Sequence, residues 1–413
     1  MNFPVKTLVI SALLLSSACS LWETKPVKVA KPPVQAIVVE GHAAIVKGTR
    51  LLARKQAIQD AIRQATLQAG TQVSARTQMS QSSIQTDTAT FRAVAAISNT
   101  QVLDEWVNDD VYTVRAKVFL SPSDSCSAPF RKRIIATAFP PVDPAQLSSS
   151  EAQDIYSGVP REITNQLIES RDFIGRNATQ ITLYENPVMA PELPADDAYQ
   201  TSKVMQMAEH EGVQFVLSGV IRDLQIESGD YIRGSGPIGM AKSFLRDVWS
   251  RRGIGMDVYV HDGFTGALLL QYRYTDAAQG DVWLPQDYTV GSERFKATVT
   301  GEKITQIIAK ASSDIRRGLS CYPMATRIVK IEKDNITIDA GAQENLNPGD
   351  QLVVYSDVGE NIQVEGQTRF VGTDKHPVGV LTLTDVRPRF ASGSLEVPPG
   401  KAGVRVGDWV RSW

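Results

Sequence analysis

Hydrophobic and polar positions change period several times along this chain, and each change marks an element. Val38 to Val46 reads as a strand, Lys47-Gly48 as a turn, and Thr49 to Ala69 switches to helical spacing. Leu51, Ile58, Ile62, Ala65 and Ala69 recur along one side, whereas Arg50, Arg54, Lys55, Asp60 and Arg63 fall mostly on the other. This predicts an amphipathic helix with Thr49 as N-cap and Gly70 as a left-handed stop. Leu52 at the third position leaves no reciprocal capping box. The Ser/Thr/Gln-rich stretch Thr71 to Thr90 is compatible with a second helix, a loop or an edge, and the pattern decides nothing over residues 71–99. Thr100 to Val107 and Val111 to Leu120 then flank the turn Asn108-Asp109-Asp110. Tyr112, Val114, Ala116, Val118 and Leu120 alternate with polar residues, so this hairpin has one packed and one wet face, and the first domain, 34–122, is a small α+β layer.

The middle domain, 123–322, opens with a strand over Ile134 to Phe139, ended by Pro140-Pro141. A helix follows with Pro160 in its first turn and Ile163 and Leu167 on one face, then a second from Thr201 to Glu211 before Gly212. Val213 to Leu217 and Val220 to Ile226 form a strand, and Gly255 to His261 with Ala267 to Tyr274 form a hairpin around residues 262–266. The helix Glu302 to Arg317 carries Ile304, Ile308, Ala311 and Ile315 on one stripe and stops at Gly318. From 323 to 413 the helical period disappears. Short strands separated by Asp334-Asn335, Asn347-Pro348-Gly349-Asp350 and Gly407-Asp408 predict a small closed barrel or sandwich.

Composition changes the picture little: 42% of the 413 residues are apolar, 21% are charged and the net charge is −2. No basic footprint for nucleic acid stands out, and Arg131-Lys132-Arg133 reads as a solvated strand start. The beginning of the chain says more. Residues 1–18 resemble an export signal, with Lys6 before the apolar core Thr7 to Leu15, and no later run reaches the roughly 18 apolar residues of a membrane span. Residues 19–33 then form a Pro- and Lys-rich tether. Cys19 after Ala18 is a candidate for lipidation, although Ser16 stands where a lipobox prefers Leu; ordinary cleavage near Ala18 is the other reading. Without Cys19, Cys126 and Cys321 remain as a pair, expected to form a disulfide in an oxidising compartment; two separate buried thiols are the alternative.

Candidate chemistry is sparse. Gly234-Ser235-Gly236-Pro237-Ile238-Gly239 matches a dinucleotide fingerprint literally, with Asp257 about twenty residues on, but it does not end a first βαβ strand, and Pro237 removes an amide that could face phosphate. It reads as a loop, and no cofactor is expected. His42, His210, His261 and His376 lie far apart without metal-ligand spacing, so no metal is expected either. Asp109-Asp110 and Asp196-Asp197 fall in turns. No catalytic residue is identified. Arg387, Arg389, Phe390, Trp409 and Trp413 suit interface anchors, but the tryptophans fit better as plugs at the end of the last barrel.

The run VEGHAAIVKGTRLLARKQAIQDAIRQATLQAG, Val39 to Gly70, resembles the N-terminal domain of the FlgT family of flagellar assembly proteins. The middle portion, with its Val260-His261-Asp262-Gly263-Phe264-Thr265-Gly266 hairpin, resembles the N-terminal domain of tolB-like periplasmic proteins, and the β-rich end completes the family's order. The resemblance implies an α+β multidomain chain, a non-enzymatic part of the periplasmic H ring. It further implies self-association in a ring around the basal-body LP ring, support of the T ring and stators for motility, and no nucleic-acid partner. An outer-membrane lipoprotein of tolB-like type that regulates an envelope complex is the rival reading, and an undetected envelope hydrolase is a third.

A disulfide between Cys126 and Cys321 would span the middle domain and stabilise it by roughly 4 to 5 kcal/mol in the chain-entropy model, less any native strain. Thermal unfolding of the mature protein with and without reductant is expected to show a lower midpoint under reduction. Equal midpoints would exclude the bond.

Overall fold

The computed structural model describes residues 35–77, 96–121, 129–147, 151, 154–192, 203–227, 250–320, 322–364 and 367–412. Of these, residues 35, 66–77, 96–99, 120–121, 357–364 and 367–375 are described by their backbone alone. The signal, the tether, all three cysteines, residues 234–239, Asp196-Asp197 and Trp413 lie outside the described residues.

β1 (Gln35–Ala44), α1 (Arg50–Thr77), β2 (Ala96–Asn108) and β3 (Val111–Ser121) build the N-terminal layer. Its antiparallel sheet has the order β1-β3-β2, and Asp109 takes the left-handed conformation (φ 52°) in the expected turn. The alternation in β3 works as expected: Val114, Ala116 and Val118 are buried against α1. The helix face differs from the expectation. Its buried stripe is Ala53, Ala57, Ala61 and Ala65, whereas Leu51 is 37% exposed and Ile58 and Ile62 are only partly buried. Gly41 explains this, because a methyl group there would overlap the Ala57 carbonyl oxygen and the Ala61 amide. The helix backbone rests directly on β1, so small residues must line the contact.

Gly70 does not stop α1, which continues to Thr77. A helix-interior glycine costs only about 1 kcal/mol, and Thr71-Gln72-Val73 brings no proline to end the run. Of the undecided stretch, residues up to 77 are helical, and the rest lies outside the described residues until β2 begins at Ala96.

The middle layer contains β4 (Lys132–Thr137), α2 (Ile155–Glu169), β5 (Phe173–Ala178), α3 (Lys203–Glu211), β6 (Phe215–Asp223), β7 (Ile226–Glu227), β8 (Arg251–Asp262), β9 (Leu268–Gln279), α4 (Glu293–Lys296) and α5 (Val299–Leu319). Its sheet runs β5-β4-β6-β8-β7, with β9 also paired to β8. β5, β4 and β6 are parallel; β8 and β9 are antiparallel additions. Ile134, Phe215, Leu217 and Val258 face α2 and α5, while Ile135, Val216, Val220 and Tyr259 face α3 and the segment around Leu183. Both faces are covered, which is why β6 is buried without a break from Phe215 to Ile221 and is mostly apolar there.

Two helix signals in this layer have other uses. Pro160 lies inside α2, not in its first turn. The Tyr156 carbonyl, which an amide at 160 would have bonded, instead accepts from the Phe139 amide at 2.9 Å, so the proline fastens the helix to the chain leaving β4. Gly318 lies inside α5, packed against Leu270 and Tyr272, and the helix ends one residue later. Ile304, Ile308, Ala311 and Ile315 form the buried stripe as expected.

β10 (Ala325–Glu332), β11 (Asn335–Ile338), β12 (Gln351–Val364), β13 (Gln367–Val386), β14 (Ala391–Leu395), a helical turn α6 (Pro399–Ala402) and β15 (Trp409–Arg411) complete the chain. The strands close into a barrel of order β10-β11-β14-β13-β12-β15, which removes its sheet edges. Ile328, Ile336, Ile338, Leu352, Val354, Leu381, Leu383 and Val410 fill it. The fold class is therefore α+β multidomain with a closed barrel at the end.

Replacing Gly41 with valine forces a branched side chain into the backbone of α1 and should destabilise the protein by about 1 to 3 kcal/mol. Denaturant unfolding checks this; an unchanged midpoint would show that α1 can lift from β1 at no cost.

Candidate functional site

A cluster of polar side chains lies where the barrel meets the middle layer. It is built on Arg131-Lys132-Arg133, which is not a solvated strand start: Lys132 is 2% exposed, and the Arg133 side chain 14%. Alternation along the start of β4 sends these side chains in different directions. Lys132 Nζ reaches the last carbonyls of the middle layer's long helix, Leu319 at 2.8 Å and Ser320 at 3.2 Å, where a cation complements the helix dipole. Burial lowers its pKa to about 8, partly opposed by Asp172. Arg131 donates to the carbonyls of Gln343 and Phe173, and its amide to that of Glu344.

Arg133 is the centre of the joint. Its Nε bonds Glu344 Oε1 at 2.7 Å and its Nη1 bonds Asp339 Oδ2 at 2.9 Å, both on the barrel, while Nη1 also reaches the Gly212 carbonyl before β6. The other Glu344 oxygen accepts from the Gly341 amide. Gln214 adds a second bridge, donating to the Pro323 carbonyl at 2.8 Å and accepting from the Ala325 amide at 3.0 Å.

An aromatic contact closes the same joint. Phe264, at the tip of the β8–β9 hairpin, packs on Trp409 with ring centroids 4.3 Å apart, and the Arg327 guanidinium stands 5.0 Å from the Phe264 ring centre. Trp409 is buried, as expected of a core tryptophan, but on the outside of the barrel against the middle layer and not as its plug. Phe390 is 43% exposed, Arg387 pairs with Asp385 close by in sequence, and nothing in the structure brings Arg389 to this joint. Sequence reasoning missed Phe264, Gln214, Glu344 and Asp339; an apolar residue inside an Asp-Gly-x-Thr-Gly turn was the one legible signal.

The barrel also grips the N-terminal layer. Thr49 does not cap α1 in the expected way, because its hydroxyl donates back to the Val46 carbonyl. The first amides, Leu51 and Leu52, are instead bonded by the Glu396 carboxylate at 2.9 and 3.2 Å, an anion at a helix start supplied from the far end of the chain. Leu52 packs on Val353, Val380 and Tyr355 from the barrel's outer face.

Between the middle layer and the barrel lies a cleft of about 310 Å³, lined in part by Arg131, Val213, Phe264, Met324, Arg327 and Val406. That is the low end of ligand-pocket sizes. The histidines fall elsewhere. His42 and Thr113 share a hydrogen bond, as do exposed His210 and Glu211. His261 is buried against Tyr184, which also contacts Ser218, and burial lowers its pKa despite the Gly266 backbone. Asp257 is buried between Arg222 and Arg273; burial pushes its carboxyl up, but both guanidiniums and the Tyr259 hydroxyl hold it below the usual value. Among the described residues no group of three His, Cys, Asp or Glu could hold a metal, and no helix is long and apolar enough to cross a membrane.

These features define a class: a multidomain α+β chain with a terminal barrel, whose modules are locked by ion pairs, a helix cap and an aromatic contact at their joints. Residues 35–122 match the N-terminal domain of flagellar assembly protein T and residues 124–290 its middle domain. The chain belongs to the flagellar assembly protein T family, which implies association with the flagellar basal body. No curated protein matches it. Among solved structures, parts of it are similar to the PelC dodecamer from Paraburkholderia phytofirmans (13% identity, 48% of this chain and 91% of that chain, TM-score 0.26). Others are the hypothetical protein CT253 from Chlamydia trachomatis (13%, 46% and 98%, 0.31) and lipoprotein GNA1162 from Neisseria meningitidis (10%, 45% and 97%, 0.23). Likenesses this weak carry no argument about architecture or role.

Removing Arg133 strands the Glu344 carboxylate, whose side chain is only 2% exposed. Arg133→Ala should cost about 3 to 5 kcal/mol, and Arg133→Lys should recover only part, because one ammonium cannot span both acids. Denaturant unfolding measures the loss and limited proteolysis the loosening of the barrel; wild-type behaviour of Arg133→Ala would remove the joint's central role.

Proposed function

We propose that the chain is a structural component of the flagellar H ring in the periplasm. It assembles side by side with copies of itself around the LP ring of the basal body and supports the T ring, and so the stators and motility. The observation that carries this reading is the pair of family matches, which together run through residues 35–290 in the family's order. The joints support it physically. A scaffold must transmit load between neighbours without internal give, and here three modules, taken as 34–122, 123–322 and 323–413, are tied by charge-assisted bonds at Arg133 and Glu396.

The role needs no reactive group, only surfaces that repeat from subunit to subunit, as in a heterologous interface that closes on itself. Cleavage of residues 1–18 delivers the chain to the periplasm in this reading, with the Cys126–Cys321 bond formed there and Cys19 as the site of any outer-membrane anchor.

Electron microscopy of basal bodies from a deletion strain and from the strain carrying the gene back tests the proposal. Basal bodies without the chain should lack the outer ring density and regain it on complementation. An unchanged ring in the deletion strain would sink the reading.

A further inference from the structure

The middle sheet carries two unlike features at its opposite ends, and together they fit as the two halves of a contact between copies. β4 and β6 are parallel, so their C-terminal ends lie together. At that end the segment 181–192 crosses the sheet, with Ile181 held to Ala138. The Arg222 guanidinium reaches the carbonyls of Pro187, Val188 and Ala190, the last at 2.9 Å, while its Nε is held by buried Asp257 at 2.8 Å. This fixes the backbone and leaves Val188 and Met189 standing out at 60% and 52% exposure. Two apolar side chains on a backbone that is already ordered make a rigid knob, and binding through it forfeits little conformational freedom. Glu192, exposed, follows in a turn closed by its amide on the Met189 carbonyl.

The N-terminal ends of β4 and β6, marked by Arg133 and Val213, border the cleft. Val213 and Arg222 are nine residues apart, about 30 Å at 3.3 Å per residue, so the knob cannot fold into the cleft of its own chain. The cleft's apolar lining of Val213, Phe264, Met324 and Val406 and its volume of about 310 Å³ suit one or two side chains, the scale of a hot-spot pocket. Its charge suits the knob as well. Three arginines and three carboxylates line it, but Arg133 engages both Asp339 and Glu344, so that among the described residues Arg131 and Arg327 pair with no carboxylate. Glu192 brings the complementary negative charge.

We infer that the occupant of the cleft is a second copy of this chain: the Val188–Met189 knob of one subunit enters the joint between middle layer and barrel of the next, with Glu192 facing Arg327 and Arg131. A knob and a cleft at opposite ends of one sheet form a head-to-tail contact, the kind that generates rings. The inference rests on the scaffold reading and names its surface. It also gives the Arg133 clamp a second role, because the cleft exists only while the barrel is held against the middle layer.

The test crosslinks the two halves. A full-length Met189→Cys/Val406→Cys double variant is treated with a short bismaleimide, both as concentrated purified protein and in isolated basal bodies, beside each single variant to account for the native cysteines. A ladder of multimers specific to the double variant is expected. Its absence from basal bodies that contain the chain overturns the knob-and-cleft contact and leaves the ring reading standing; absence of the chain from basal bodies overturns both. Met189→Glu provides the second arm. Because Met189 is exposed, the melting temperature should be unchanged while incorporation into basal bodies falls at least tenfold. Incorporation at the wild-type level would overturn the proposal even if a crosslink forms.

Discussion

The arrangement of this molecule depends on one largely buried guanidinium. Arg133 stands where β4 begins, and its partners Asp339 and Glu344 belong to the barrel about 200 residues away in sequence. A charge removed from water at a joint is tolerable only if its partners are in place, so the interaction acts as a geometric condition as much as a source of stability. Once it is met, Gln214 can bridge to the start of β10 and Phe264 can reach Trp409. The three contacts differ in chemistry and approach from different elements. Together they fix the barrel in more than one direction.

Much of the fold was legible because single elements obey local rules. The β2–β3 hairpin, the stripe of α5 and the closed barrel follow from alternation, spacing and turn residues, each set by near neighbours. What escaped was decided by distant ones. Ala53, Ala57 and Ala61 lie outside the stripe that Leu51, Ile58 and Ile62 suggest, and they are buried because Gly41 brings a strand backbone against them. Gly70, Pro160 and Gly318 resemble helix punctuation, yet one is simply tolerated, one frees a carbonyl for Phe139 and one makes room for Leu270. The joint was hidden for the same reason. Arg131-Lys132-Arg133 is indistinguishable in sequence from a wet strand start, and its burial comes from α5 and the barrel, which no local window contains.

Charged groups hold the joints between modules. Arg133, Glu344 and Glu396 act across modules, whereas the core clusters of the barrel and the middle sheet are built from aliphatic and aromatic side chains. Hydrophobic packing gives each module its shape, and directional bonds set how the modules are placed. For a part of a larger assembly that division matters, since relative placement is what neighbours read.

The Glu396 cap bears on the order of events during synthesis. The amides it satisfies belong to Leu51 and Leu52, and 345 residues separate Leu51 from the carboxylate. At about 5 to 20 residues per second, roughly 20 to 70 s of synthesis pass between the appearance of the first turn of α1 and that of the group that completes it. Until then the opening of this helix frays in water, and a nascent or truncated chain presents an unfinished first layer. The last strands thus certify the first helix, and a subunit acquires its finished surface only after nearly the whole polypeptide has been made.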